Sequence, residues 1–320
     1  MITQRIYLQN HKPINFTFNQ NRYDFIVDEI AAFKFSGGGN FMILRIKKVF
    51  TSTWELISII SKTLGIDEHL IGYAGLKDKN ATTTQYISIP LNKSRDYKLL
   101  ESKNIKVLET YRHHSKLKIG DLEGNRFKIT LKDVDVNDLP VIYQTISQIQ
   151  KHGMPNYFGY QRFGKENNFQ KAKDIVYGDE ILRDKKLDTF LRTAYQSYFF
   201  NAWLVSRVEL SKEQGLKKLL VLDGDIFQDK EKKIITGLMP GRKVNRSKSK
   251  ASEIESNFDD PFIHDKGFRR AAWIKPQNIK NKFIPKDDSK KNWLEIEFTL
   301  PKSSYATVFI ENIANKNYSH

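Results

Sequence analysis

Alternating apolar and polar residues occupy the two ends of this chain, and helix-spaced apolar residues occupy its middle. Phe41–Val49 (FMILRIKKV) places Met42, Leu44 and Ile46 on one face, as a half-buried strand requires. Residues 24–30 (DFIVDEI) form a strand before it, across the turn Gly37-Gly38-Gly39-Asn40. Residues 83–89 alternate with Gln85, Ile87 and Ile89 on one side, and residues 127–131, 293–300 and 306–310 also read as strands. Helical signals lie between. Ser52 and Glu55 have capping-box spacing ahead of Leu56, Ile57, Ile60 and Leu64, and Gly65 is the stop. Pro140 opens a helix bearing Ile142, Ile146 and Ile149, which Gly153 ends, and residues 187–210 read as one long helix. The pattern predicts an α+β fold, sheet-rich at both ends around a helical middle, with a break near residue 153.

Composition removes several function classes. The chain has 320 residues, enough for roughly two domains, and no cysteine, which excludes disulfide scaffolds, zinc knuckles, iron–sulfur sites and thiol nucleophiles. Its N-terminus lacks an apolar signal-type core, and no run approaches the roughly 18 apolar residues that span a bilayer. A soluble, cytoplasmic protein without a membrane partner is expected. Lys and Arg number 53 against 37 acidic residues, a formal charge of +16. That charge fits a polyanionic partner, most plausibly nucleic acid, or simply a lysine-rich proteome. Residues 242–250 (RKVNRSKSK) hold five basic and no acidic residues without an apolar face, the composition of a mobile basic loop. Cofactor motifs are missing. The glycines at 37–39 lack a following Lys-Ser/Thr, and no dinucleotide fingerprint occurs. Residues 133–138 begin like a calcium loop, but Asp138 replaces the turn glycine and Gln144 the bidentate Glu, so no metal site is expected.

One segment carries chemistry. In residues 71–90 (IGYAGLKDKNATTTQYISIP), Asp78 sits at a turn between two apparent strands, flanked by Lys77 and Lys79. Nearby cations favour an ionised carboxylate, available as nucleophile or base; the alternative is an ordinary surface turn. This segment, from Ala74 through Asp78 to Ala81, Thr83 and Gln85, resembles the motif around the catalytic aspartate of the TruD family of pseudouridine synthases. Residues 120–127 (GDLEGNRF) and 153–164 (GMPNYFGYQRFG) resemble its second and third motifs in order and spacing. Residues 24–29 and 300–307 resemble its opening and closing strand regions.

The resemblance implies an antiparallel pseudouridine synthase sheet with flanking helices in residues 1–152 and 272–320, and an inserted α/β TRUD-type domain in 153–271. It also implies an isomerase that needs no cofactor and acts on a uridine of folded tRNA, by default uridine 13 in the D-arm. The alternative is a non-catalytic RNA-binding protein that keeps the fold; a monomer is favoured. In the family the aspartate matched by Asp78 either attacks C1′ of the ribose or removes the C2′ proton. Phe127 matches the aromatic that stacks on the flipped base, although Phe127, Ile129 and Leu131 share one strand face and also suit a core. Asn125 is either a uracil-pairing amide or a turn residue. Lys77, Lys79, Gln85, Gln161 and Arg162 complete the expected substrate-binding set, with Arg162 either touching a phosphate or tying the two domains together. The family shows a basic residue a few positions ahead of its opening strand, where this chain has Asn19. Arg22, Lys12, Lys77 and Lys79 are the cations that stand to replace it.

Overall fold

The computed structural model describes residues 4–77, 79–164, 168–287 and 291–318, so the expected reactive residue, Asp78, lies outside the described residues. The architecture is α+β. It divides into two compact units, one of Asn15–Asn137 with Gln277–Ser303, the other of Met1–Ile14, Asp138–Pro276 and Ser304–His320.

The first unit is built on a sheet of nine strands among the described residues. Its main order is Gln277–Ile284, Asn292–Pro301, Leu122–Val134, Phe25–Ala31, Thr82–Pro90, Phe41–Val49 and Ile105–His113. Neighbours are antiparallel except Phe25–Ala31 beside Thr82–Pro90. The helix Thr53–Leu64 covers part of one face, where Leu56, Ile57 and Ile60 pack with Leu44, Ile46, Ile87 and Ile89. Its start is the reciprocal cap read from the sequence. Glu55 N donates to Ser52 Oγ at 3.1 Å, and Ser52 N donates to the Glu55 carboxylate at 2.7 Å. Gly65 ends it at φ 61°, a backbone region that glycine enters without strain.

Residues directly opposite in neighbouring strands project to one face, so strand register defines rows. One row on the covered face runs Lys48, Thr83, Val27, Phe127, Phe298. Beside it, Gln85 stands opposite Ile46, and Asn125 stands opposite Glu29 and Leu300. Polar side chains therefore occupy part of the buried face.

In the second unit, five helices among the described residues accompany a three-stranded sheet, Phe268–Ala271, Ile234–Met239 and Phe227–Asp229. The helix Lys185–Glu213 runs so close to the central strand that a Cβ on Gly237 would lie 2.3 Å from the Trp203 ring. Residues 306–310, expected as a strand, instead open the helix Ala306–Ala314. All nine of its residues are buried, and an apolar run covered on every side has no periodicity that separates strand from helix.

The compact units are bounded elsewhere than the expected domains. The helix Leu139–His152 packs on Ala306–Ala314, Ile14 N donates to Ala314 O, and Tyr157 Oη donates to Ile6 O, so both chain ends group with the middle. The expected mobile loop 242–250 is also tied down. Arg246 pairs with Asp259 at 2.5 Å, Ser247 N donates to Glu255 at 2.7 Å, and Ser249–Glu255 is helical. No helix among the described residues is long and apolar enough to cross a membrane.

A buried ion pair closes this unit. Glu311, fully buried, accepts from Arg5 Nε at 2.7 Å, from Arg5 Nη2, from Tyr7 Oη at 2.5 Å and from Tyr318 N at 2.9 Å. Glu311→Gln should lower the unfolding free energy by about 3–5 kcal/mol, because it strands the Arg5 charge. Urea unfolding at neutral pH measures this, and a loss below about 1 kcal/mol would show that the pair is not structural.

Candidate active site

The segment leading to Asp78 is held at its last described residue. Lys77 Nζ forms a 2.8 Å ion pair with Glu29, with both side chains almost fully buried. Lys77 N donates to Thr53 Oγ1 at 2.9 Å, and Thr53 Oγ1 donates to Gln85 Oε1 at 3.0 Å. The start of the capped helix, the Thr82–Pro90 strand and residue 77 thus form one hydrogen-bonded unit. Glu29 also accepts from Tyr86 N at 3.2 Å, which ties it to that strand. On the far side, Ala81 is buried and Lys79 pairs with Glu55 at 2.5 Å in the open. Lys79 first, then the Ser52 backbone and hydroxyl, pull Glu55 down to about 2.

Both lysines beside Asp78 are therefore engaged by carboxylates. Of the other expected cations, Lys12 is exposed in the other unit, and Arg22 lies over the Tyr23 and Phe50 rings at 4.5 and 5.2 Å. The sequence reading missed Lys48. This lysine has no exposed surface, donates from Nζ to Thr51 O, and stands opposite Thr83 on the covered face. Its signal was present: the alternation Met42, Leu44, Ile46 continues to position 48, putting a lysine where a core residue belongs. Phe50 was missed as well. It is 46% exposed at φ 52°, an uncommon backbone state for a bulky residue.

Phe127 is packed among aromatic rings in this structure. It is 6% exposed, stacked on Phe298 at 5.4 Å and tilted against Phe25 at 6.0 Å. Around it are polar atoms that the fold leaves unsatisfied. Thr83 Oγ1, Gln85 Nε2 and Asn125 Oδ1 are buried and have no hydrogen-bond partner among the described residues. Each such group costs about 1–3 kcal/mol, and such costs concentrate at functional sites. The register brings Asn125 beside Glu29, so the expected Asn125, Gln85 and Lys77 gather on one buried face.

Gln161 and Arg162 belong to the other compact unit. Gln161 Oε1 accepts from Thr307 at 3.3 Å, and Arg162 Nε donates to Ser197 Oγ at 3.1 Å. Tyr157 and Phe158 are buried, as expected of packing residues.

The sequence profile described as tRNA pseudouridine synthase D (TruD) matches residues 1–183, which contain all three motifs. The chain belongs to the TruD family. It is 37% identical to the tRNA pseudouridine synthase D of Wolinella succinogenes over 98% of both chains. It is 36% identical to that of Helicobacter hepaticus, over 97% of this chain and 95% of that one. A Methanosarcina mazei crystal structure titled as a tRNA pseudouridine synthase D (TruD) superposes with TM-score 0.72 at 22% identity, covering 99% of this chain and 97% of that one. That likeness speaks to the TruD fold.

Two measurements test the TruD-motif geometry. Phe127→Ala should cost about 3–5 kcal/mol of unfolding free energy, as loss of a packed core aromatic does; a loss below about 1 kcal/mol would remove it from the core. Lys77→Met should cost about 3–5 kcal/mol alone, and Lys77→Met with Glu29→Met much less, because the double change strands no charge. Equal costs for single and double variants would rule out the buried pair.

Proposed function

We propose that this chain is a tRNA pseudouridine synthase, an isomerase that converts a uridine of folded tRNA to pseudouridine, with uridine 13 of the D-arm as its target. The observation that carries this reading is the family match over residues 1–183, a range that spans Asp78. The reaction breaks the bond from uracil N1 to C1′, turns the base, and joins C5 to C1′; the C5 proton is lost and N1 gains one, so substrate and product are isomers. Asp78 either attacks C1′ or removes the C2′ proton, and both routes need an ionised carboxylate.

The surroundings support that role. Lys77, Glu29, Thr53 and Gln85 fix the chain at the residue before Asp78 in sequence. Lys48 is the cation we assign to the duty that the family gives to a residue ahead of the opening strand. Thr83, Gln85 and Asn125 carry unsatisfied donors and acceptors of the kind that a uracil edge pairs with. Phe127 is the aromatic that this reading gives to the flipped base. Lys79, Gln161 and Arg162 complete the substrate-binding set, and residues 153–271 are the family insertion into 1–152 and 272–320.

Incubating an unmodified tRNA pool with the protein and no added cofactor, then mapping pseudouridine chemically, tests the reading. Product at position 13 is expected, and Asp78→Asn should bind tRNA yet lose turnover by at least about a hundredfold. No product from the wild-type chain would overturn the activity. Product from a folded Asp78→Asn protein would overturn the role of Asp78.

A further inference from the structure

Buried and half-buried arginines in the second compact unit fall into two kinds. Arg5 pairs with Glu311, Arg207 with Asp225 at 2.7 Å, and Arg269 with Glu255 at 2.6 Å. Arg162 and Arg270 pair with no carboxylate among the described residues. Arg270 is 7% exposed, and its Nε and Nη2 donate to Asn156 O at 3.2 and 2.9 Å. Its Nη2 also reaches Asn156 Oδ1 at 3.0 Å. Among the described residues, Arg162 is hydrogen-bonded only through Nε, to Ser197 Oγ.

Both guanidinium groups lie against one ring. The central carbon is 3.9 Å from the Phe158 centroid for Arg270 and 5.7 Å for Arg162. Phe200 flanks the first at 5.3 Å and Phe190 the second at 5.4 Å. Desolvation pushes both below the usual arginine range, Arg270 to about 10, with Tyr305 raising it and the charge of Arg162 lowering it further. Cation–π contacts offset only part of what an uncompensated buried charge costs. Among the described residues, neutral acceptors and rings thus leave two neighbouring positive charges short of a counter-ion. Donors to meet one are in place: Nη1 and Nη2 of Arg162 and Nη1 of Arg270 bond to no described protein atom.

We propose that Arg162 and Arg270 form a seat for one backbone phosphate of the RNA substrate, with Phe158 holding the two planar forks. Planar guanidinium groups match phosphate oxygens two at a time, and such contacts set register rather than read sequence. The proposal rests on the reading that the chain acts on tRNA. It adds Arg270, which lies outside every motif singled out in the sequence, and for Arg162 it takes the phosphate alternative.

The test is the affinity of the full chain for an unmodified tRNA transcript, measured across a KCl series for wild type, Arg162→Gln, Arg270→Gln and Arg270→Lys, with thermal unfolding as the folding check. Arg162→Gln should weaken binding about tenfold and reduce the slope of log affinity against log salt by about 1, while Arg270→Lys should keep the wild-type slope. Arg270 supports Asn156 as well, so its Gln variant counts only if folded; Arg162→Gln carries the test if it is not. A folded Arg162→Gln with the wild-type slope overturns the phosphate seat, whether or not affinity falls. Pseudouridine formation by the wild-type chain separates that outcome from failure of the functional reading, in which no product forms.

Discussion

The buried Glu29–Lys77 pair is the contact on which the candidate active site depends. A carboxylate inside a sheet is tolerable only with a cation and hydrogen bonds around it, and Lys77 and Tyr86 N supply them. The cation comes from the loop that carries Asp78. The sheet cannot satisfy Glu29 without drawing that loop onto its face, and Thr53 fixes the loop backbone at the same residue. Stability of the sheet and placement of Lys77 are thereby one requirement.

The polar strip beside that pair has a second consequence. Lys48, Thr83, Gln85 and Asn125 occupy positions where alternation would put apolar side chains, and three of them leave donors or acceptors unsatisfied. A core optimised for stability would not retain them. The apolar end of the same face compensates: Phe25, Phe127 and Phe298 pack ring against ring, with Leu294 and Ile296 buried alongside. Rigid hydrophobic packing thus borders groups whose bonding is incomplete, the arrangement expected where a ligand finishes the bonding.

Charge is handled differently in the second unit. Arg5, Arg207 and Arg269 are neutralised inside the protein, while Arg162 and Arg270 rest on aromatic faces and an amide. The basic stretch 242–250, conspicuous by composition, is anchored through Arg246 and Ser247. Composition therefore did not show which cations are anchored inside the protein.

Local patterns were legible in the sequence because they depend on neighbours a few positions apart. The capped helix from Ser52 to Gly65, the strands of the opening and closing segments, the helix closed by Gly153 and the family motifs around Asp78, Asn125 and Arg162 were all of this kind. The Ala306–Ala314 helix was not, because its burial on every side erased the periodicity that distinguishes helix from strand. Nor were the partners of each charge. That Lys77 meets Glu29, that Lys48 enters the covered face, and that Arg270 joins Arg162 over Phe158 depend on contacts across dozens to more than a hundred residues. The sequence by itself determined the fold class, the family and the residue types available for chemistry. Tertiary structure alone decided which charges are cancelled and which are left for a ligand, because a charge's energy is set by what surrounds it in space, and sequence order does not state that.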